Sequence, residues 1–157
     1  MTDERKKEFA LKISQANSTG LIVILYEIIL VYIQEAEAAQ GADNRTEFSN
    51  AIRKIRNCIG ELMQSLNFKY QVASSIYSLY VFFLNELVRA DMAYQKEPLV
   101  QMAPMIESLR KAYEKVSESN SLAPVMENTQ TVYAGFTYGK TDVNVNLTDT
   151  GSRGFRV

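Results

Sequence analysis

The sequence predicts an all-α fold, an antiparallel up-down four-helix bundle with an N-terminal arm and a non-helical C-terminal tail. Three observations support this prediction. Apolar residues return at steps of three and four over four long stretches, which is the spacing of helices with buried faces. The connections between these stretches have only a few residues, and short connections place consecutive helices antiparallel. The length of 157 residues corresponds to a single domain of roughly 150 residues.

The first two helical stretches are predicted at about residues 19–39 and 46–66. The first follows Asn17, whose side chain can cap free N–H groups, and it ends before Gly41. From Leu21 to Ile33 it is apolar almost all round. The second carries one apolar stripe, which indicates one buried face and consists of Phe48, Ile52, Ile55, Ile59, Leu62 and Leu66.

The third and fourth stretches are predicted at about residues 70–94 and 98–117. Pro98 suits the first position of a helix, whereas Pro104 falls inside the pattern and should kink or restart the fourth helix. The third stretch has two adjacent apolar faces. One face consists of Val72, Ile76, Leu79, Tyr80, Phe83 and Leu87, and the other of Ala73, Tyr77, Val81, Leu84 and Val88.

The two ends of the chain differ from the helical middle. Residues 1–16 are charged and form either a short helix or a docking arm, with Phe9, Leu11 and Ile13 as large apolar residues. After about Asn120 the helical pattern stops and four of the seven glycines follow. We therefore expect a bundle domain at 1–119 and a tail at 120–157. A hairpin within 132–147 would need a surface to dock on, because isolated hairpins are marginal in water.

Composition excludes several classes of function. A net charge of -1 gives no basic surplus for nucleic acid, so no nucleic-acid partner is expected. The chain has no His and a single Cys, Cys58, which removes the ligands and bases of zinc sites, catalytic triads and di-iron bundles. We expect no enzyme activity, metal or cofactor. Without a disulfide the chain is expected to be cytoplasmic, and Glu27 interrupts an apolar run too short for stable membrane insertion.

Two helical stretches carry more apolar surface than one bundle needs, namely 21–33 and 79–84. One interpretation is that these helices are central and that the surplus is covered by the arm, the tail or a homodimer mate. The other is a groove for an amphipathic partner helix, because large apolar patches rarely stay bare on monomers. The residues alone leave both interpretations open.

Four segments, taken in chain order, resemble the FliS family of flagellin export chaperones from about Phe9 to Val116. They are Ala16-Asn17-Ser18 with Ile24-Leu25-Tyr26-Glu27; Ala51, Ile59, Glu61-Leu62 and Leu66; Val72-Ala73, Leu79-Tyr80, Leu87 and Ala90-Asp91; and Leu109-Arg110-Lys111-Ala112-Tyr113. The resemblance implies a cytoplasmic, non-enzymatic chaperone. Such a protein binds the C-terminal segment of flagellin, prevents its premature polymerisation and delivers it to the flagellar export apparatus.

The resemblance also implies a client groove with a removable cover. We expect the groove to consist of Ile24, Ile28, Tyr77, Tyr80, Val81, Leu84 and Val88. Phe9 and Ile13 of the N-terminal arm would cover part of it when no client is bound. The alternative from a different class is a regulatory or structural homodimer in which the same apolar faces meet.

Overall fold

A computed structural model describes residues 1–119, and every regular element in this range is an α-helix. The helices are α1 (Asp3–Gln15), α2 (Ser18–Gly41), α3 (Arg45–Ser65), α4 (Val72–Ala93) and α5 (Glu97–Ser119). The all-α prediction is therefore confirmed for this part of the chain. The arm is a helix, which was one of its two expected forms. The hairpin predicted within 132–147 lies outside the described residues.

Side-chain caps determine where three of the helices begin. Thr2 accepts a hydrogen bond from the backbone N–H of Arg5 at the start of α1. Asn17 accepts one from the N–H of Gly20 at 2.7 Å and caps α2. Asn44 caps α3 in the same way through the N–H of Glu47, at 3.1 Å. Each cap satisfies one of the N–H groups that the first turn of a helix leaves without a partner.

The helices contact one another around a shared interior. α2 packs against α3 and α5, α4 also packs against α3 and α5, and α1 lies on α2. Ser117 near the end of α5 donates to Asn17 at the start of α2, at 3.1 Å, so these helices are antiparallel. Ser49 near the start of α3 donates to Asp91 near the end of α4, at 2.6 Å, which makes that pair antiparallel as well.

The interior is apolar except for a few tyrosine hydroxyls and one thiol. The Tyr26 and Tyr80 hydroxyl groups bond to each other inside the core, and the Tyr113 ring centroid lies 5.8 Å from that of Tyr26. Burial raises the pKa of Cys58 to about 12, so its thiol stays protonated and unreactive. The largest fully buried side chains are Tyr26, Tyr80, Phe48, Phe83, Ile29, Ile33, Ile52, Ile55, Ile59, Leu62, Leu87 and Leu99.

α2 is long and apolar enough to cross a membrane when it is judged by length and composition alone. In the structure 56% of its most apolar 18-residue window is buried inside the protein. Tyr26, Ile29, Ile33 and Ala36 are almost completely covered by the neighbouring helices. Because the central helix of a helical domain passes the same test, these properties are explained by packing within the chain.

α5 continues without a break from Glu97 to Ser119, with Pro104 inside it. The predicted restart of the helix at Pro104 is therefore wrong. Proline removes one backbone hydrogen bond from a helix interior. Pro104 lies on the exposed side of α5, and Leu99, Met102 and Ile106 on the other side are buried in the core. Packing of this buried side holds the helix together through the proline.

Replacing Gly60 with alanine should raise the free energy of unfolding by about 0.5–1 kcal/mol, because glycine in a helix interior has that entropic disadvantage. No atom lies within 4 Å of a Cβ placed at Gly60. At Gly20 the same atom would lie 3.1 Å from Asn17 Oδ1 and 3.2 Å from Ala16 Cβ. Urea unfolding of Gly60→Ala and Gly20→Ala should therefore differ, and an equal gain from both would contradict this interpretation.

Candidate functional site

α4 carries a row of apolar side chains on its exposed side, which we call the α4 stripe and define as Tyr77, Val81, Leu84 and Val88. The spacing of four, three and four residues places them on one face of the helix. Tyr77, Val81 and Val88 are 41%, 37% and 41% exposed, and Leu84 is half-buried beside them. A contiguous apolar face of this kind indicates a surface for a partner.

A second exposed apolar group lies just before and within the start of α4. We call it the end cluster and define it as Phe68, Tyr70, Val72 and Tyr77, so Tyr77 belongs to both surfaces. Phe68, Tyr70 and Val72 are 60%, 67% and 61% exposed. The ring centroids of Phe68 and Tyr77 lie 5.9 Å apart in an edge-on contact. The two surfaces are therefore continuous at Tyr77.

The end cluster was not expected from the sequence, because the third helix was predicted to begin at about residue 70, two residues before α4 begins. Val72 was expected on one apolar face with Ile76, Leu79, Tyr80, Phe83 and Leu87, whereas it is the first residue of α4 and is exposed. The signal was Asn67. Its side chain accepts from the N–H of Lys69 at 3.1 Å and its carbonyl accepts from the N–H of Tyr70, which forms a turn and delays the helix.

Tyr80 does not lie on this surface. The expected groove included Tyr80, but the structure leaves it 1% exposed, with its hydroxyl bonded to that of Tyr26. Burial raises the pKa of both tyrosines well above the usual value near 10. Both side chains are therefore neutral at physiological pH and satisfy each other inside the core. Tyr80 is a core residue, and Tyr77 and Val81 flank it on the exposed side.

Ile24 and Ile28 of α2 are also buried, at 7% and 5% exposed. They lie three residues before and one residue after Glu27, whose carboxylate bonds to Lys12 of α1 at 3.0 Å. Ile24, Ile28, Val31 and Glu35 are spaced by three and four residues and therefore share one face of α2. α1 lies along this face. The Met1 amino group contacts Glu35 at the far end of this face.

Phe9 and Ile13 form the apolar side of α1. Phe9 is 8% exposed and belongs to the core cluster that also contains Ile24 and Ile28, and Ile13 is half-buried against it. Lys12 lies between them in sequence, and the hydrogen bond to Glu27 raises the pKa of Lys12. α1 is thus attached to α2 by two apolar side chains and by an ion pair between helices.

The junction between α1 and α2 is fixed on two sides. Asn17 Oδ1 accepts from the N–H of Gly20 and from the hydroxyl of Ser117. Gly20 leaves just enough room for Ala16 and Asn17 to pass over the first turn of α2. The place where α1 turns back onto α2 therefore lies against the last turn of α5.

The site has the chemistry of a binding surface. Within residues 1–119, no three His, Cys, Asp or Glu side chains come together as a metal-binding group. Glu27 pairs with Lys12 and Glu86 with Arg89, the latter at 2.6 Å. The α4 stripe and the end cluster are exposed and apolar, as a surface that binds an apolar partner is.

Comparison with known proteins gives one result that covers most of the chain. No curated protein matches it at a significant level. A family model described as flagellar protein FliS matches residues 1–120, which include all five helices. This match confirms the family resemblance seen in the sequence. The chain belongs to the FliS family of flagellar proteins.

Proposed function

We propose that this protein is a cytoplasmic export chaperone that binds the C-terminal segment of flagellin. It prevents premature polymerisation of the client and aids its delivery to the flagellar export apparatus. Membership of the FliS family supports a role in the flagellum. The observation that carries the proposal is the α4 stripe, an exposed apolar face on a helix whose opposite side is buried in the core. No catalytic activity is part of the proposal.

The scaffold for this function is an up-down four-helix bundle made of α2, α3, α4 and α5. Two hydrogen bonds between antiparallel helices support this arrangement, one between Asn17 and Ser117 and one between Ser49 and Asp91. The closed set of helix contacts, from α2 through α3, α4 and α5 back to α2, supports it too. A bundle is a suitable support, because each helix can keep its outer face for a partner while the inner face holds the core.

The client surface is the α4 stripe, together with Ile24 and Ile28 of α2 once α1 has moved away. An amphipathic helix binds such a surface through apolar residues spaced by three and four, matching the spacing of Tyr77, Val81, Leu84 and Val88. Ser78 and Asn85 beside the stripe are uncharged. A disordered client segment that folds on binding can cover both helices, which suits a chain that is kept unassembled before export.

The role of α1 is that of a cover. Since Ile24 and Ile28 are buried on the face to which α1 attaches, a client can reach them only after α1 leaves. A segment that occupies the binding surface lowers the competent fraction of the protein and weakens apparent affinity in proportion. α1 therefore competes with the client and does not contribute to the bound state.

Deleting residues 1–16 should tighten the binding of a flagellin C-terminal peptide, measured by titration calorimetry, because the competing segment is gone. A milder variant, Lys12→Ala, should act in the same direction, since it removes the ion pair with Glu27. Lys6→Ala is the matched control, because Lys6 pairs with Asp3 inside α1 itself. Weaker binding after the deletion would show that α1 is part of the client site.

The function itself is tested by molar mass in solution with and without that peptide, using light scattering. A mass that rises by one peptide supports the chaperone. The alternative is a regulatory or structural homodimer in which the apolar faces of two copies meet. A mass of two chains that is unchanged by the peptide, together with no heat of binding, would establish the homodimer and exclude the proposal.

A further inference from the structure

Contacts among three tyrosines show at which end of the helices α5 ends, and therefore where residue 120 continues the chain. Tyr26, Tyr80 and Tyr113 contact one another and therefore lie at one level along the helices. α4 begins at Val72, eight residues before Tyr80, which is about 12 Å along the helix axis. α5 ends at Ser119, six residues after Tyr113, or about 9 Å further on.

α4 starts and α5 ends at the same end of the helices. The end of α5 contacts the start of α2 through Ser117 and Asn17. The end of α2 contacts the end of α4, because Gln40 donates to the carbonyl of Tyr94 at 2.8 Å. The start of α2 is therefore on the side where α4 begins, and residue 120 follows α5 at the end that carries the end cluster.

The end cluster offers an unusual surface at this point. Three of its four side chains are at least 60% exposed, and two of these three are aromatic. From Leu66 to Asn85 the only charged residue is Lys69. A nearly uncharged, aromatic surface of this kind is matched by a segment that is itself uncharged and aromatic, because neither side then loses hydrated charge on contact.

The remaining chain contains such a segment, at residues 128–139. It has no charged residue and includes Val132, Tyr133, Phe136 and Tyr138. Residues 120–127 separate it from the end of α5, a length that spans up to about 26 Å when extended. The FliS family match stops at residue 120, so family membership gives this segment no role.

We propose that residues 128–139 dock on the end cluster of the same chain when no client is bound. Attachment eight residues away gives the segment an effective concentration of the order of millimolar, so apolar contacts with a Kd below about a millimolar keep it docked. Tyr77 belongs to both the end cluster and the α4 stripe, so the docked segment also covers one end of the client surface. The inference goes beyond the proposed function, because it concerns the free chain alone.

The test uses the full chain without any client. A nitroxide is attached at position 128 in an Asn128→Cys, Cys58→Ala variant, and the methyl signals of the valines are recorded by NMR. Val72 should lose signal intensity through its proximity to the label. Val100 is the matched control, since it is a 46% exposed valine near the opposite end of α5. Equal loss at both valines, or no loss at Val72, would overturn the proposal.

Two further samples complete the test. Adding Tyr133→Ser and Phe136→Ser should restore the Val72 signal, whereas Thr131→Ser with Thr137→Ser keeps both aromatic rings and should leave the loss in place. In a second sample, chains that carry the nitroxide are mixed with chains that carry the methyl isotope label and no nitroxide. Val72 of the isotope-labelled chains should keep its signal. A loss in that mixture would identify a second copy as the occupant. None of these results depends on flagellin, so failure here is distinguishable from failure of the proposed function.

Discussion

Replacing Val81 or Tyr77 with aspartate should abolish binding of a flagellin C-terminal peptide while helical content and melting temperature change little. Both side chains are exposed by more than a third, so the free protein loses few contacts. In the complex each would bury an unpaired charge at the centre of an apolar surface. Truncation of such an anchor residue alone costs about 2 kcal/mol or more, a loss of affinity of at least about 30-fold, and the buried charge adds to this loss.

The matched control for this experiment is Val116→Asp on α5. Val116 is 51% exposed and lies on a different helix, so the same change should leave peptide binding intact. Calorimetry measures the affinity of each variant, and circular dichroism checks the fold. Normal binding by Val81→Asp and Tyr77→Asp would place the client elsewhere. Loss of binding by all three variants would indicate a general effect of charge.

The helices could be predicted from the sequence because their signals are local. Apolar spacing, with the capping residue Asn17 in front of α2, places α2 and α3 within one residue of their observed starts. Most of the buried stripe of α3 was also predicted correctly, since Phe48, Ile52, Ile55, Ile59 and Leu62 are buried. Leu66, the sixth predicted residue, follows the end of α3 and is half-buried. An amphipathic helix has one apolar face, so the pattern itself identifies the side that packs.

The exposed site was harder to predict, because α4 is apolar on more than one side. Tyr77, Tyr80 and Val81 are close in sequence and similar in hydrophobicity, yet only Tyr80 is in the core. Which of them is buried depends on the sides of α4 against which α3 and α5 pack, and the local sequence pattern does not contain this tertiary packing. The burial of Ile24 and Ile28 depends likewise on where α1 turns back, which Gly20 and the contact with Ser117 determine.

The backbone conformation of the loops could not be predicted from the pattern of apolar residues either. Asp43 and Tyr94 adopt positive φ angles of 53° and 52°, which residues other than glycine rarely do. Neither sequence position has a glycine to signal such a turn. The two residues contact each other, since the Tyr94 hydroxyl donates to Asp43 at 3.3 Å, and the Phe48 ring packs edge-on against Tyr94. These contacts between distant loops hold the unusual backbone in place.

Tyr80→Ala should lower the free energy of unfolding by about 3–5 kcal/mol, as truncation of a large buried aromatic side chain does. The smaller change Tyr80→Phe should cost about 1–3 kcal/mol, because it leaves the buried Tyr26 hydroxyl without its partner. Removing both hydroxyls, in Tyr26→Phe with Tyr80→Phe, should recover most of that loss. Urea unfolding of the three variants measures these differences, and additive losses in the double variant would contradict the paired arrangement.

The same pair predicts how stability depends on pH. Burial raises the pKa of Tyr26 and Tyr80 in the folded protein, so the folded state holds their protons more tightly than the unfolded state does. Their contribution is fully present below the unfolded value of about 10 and is lost as pH rises above it. The free energy of unfolding of the double phenylalanine variant should therefore fall less than that of the wild type between pH 10 and 11. Because Val81 is exposed beside this buried pair, Val81→Asp should retain the wild-type decline in stability with pH. The same measurement therefore distinguishes the core side of α4 from the α4 stripe.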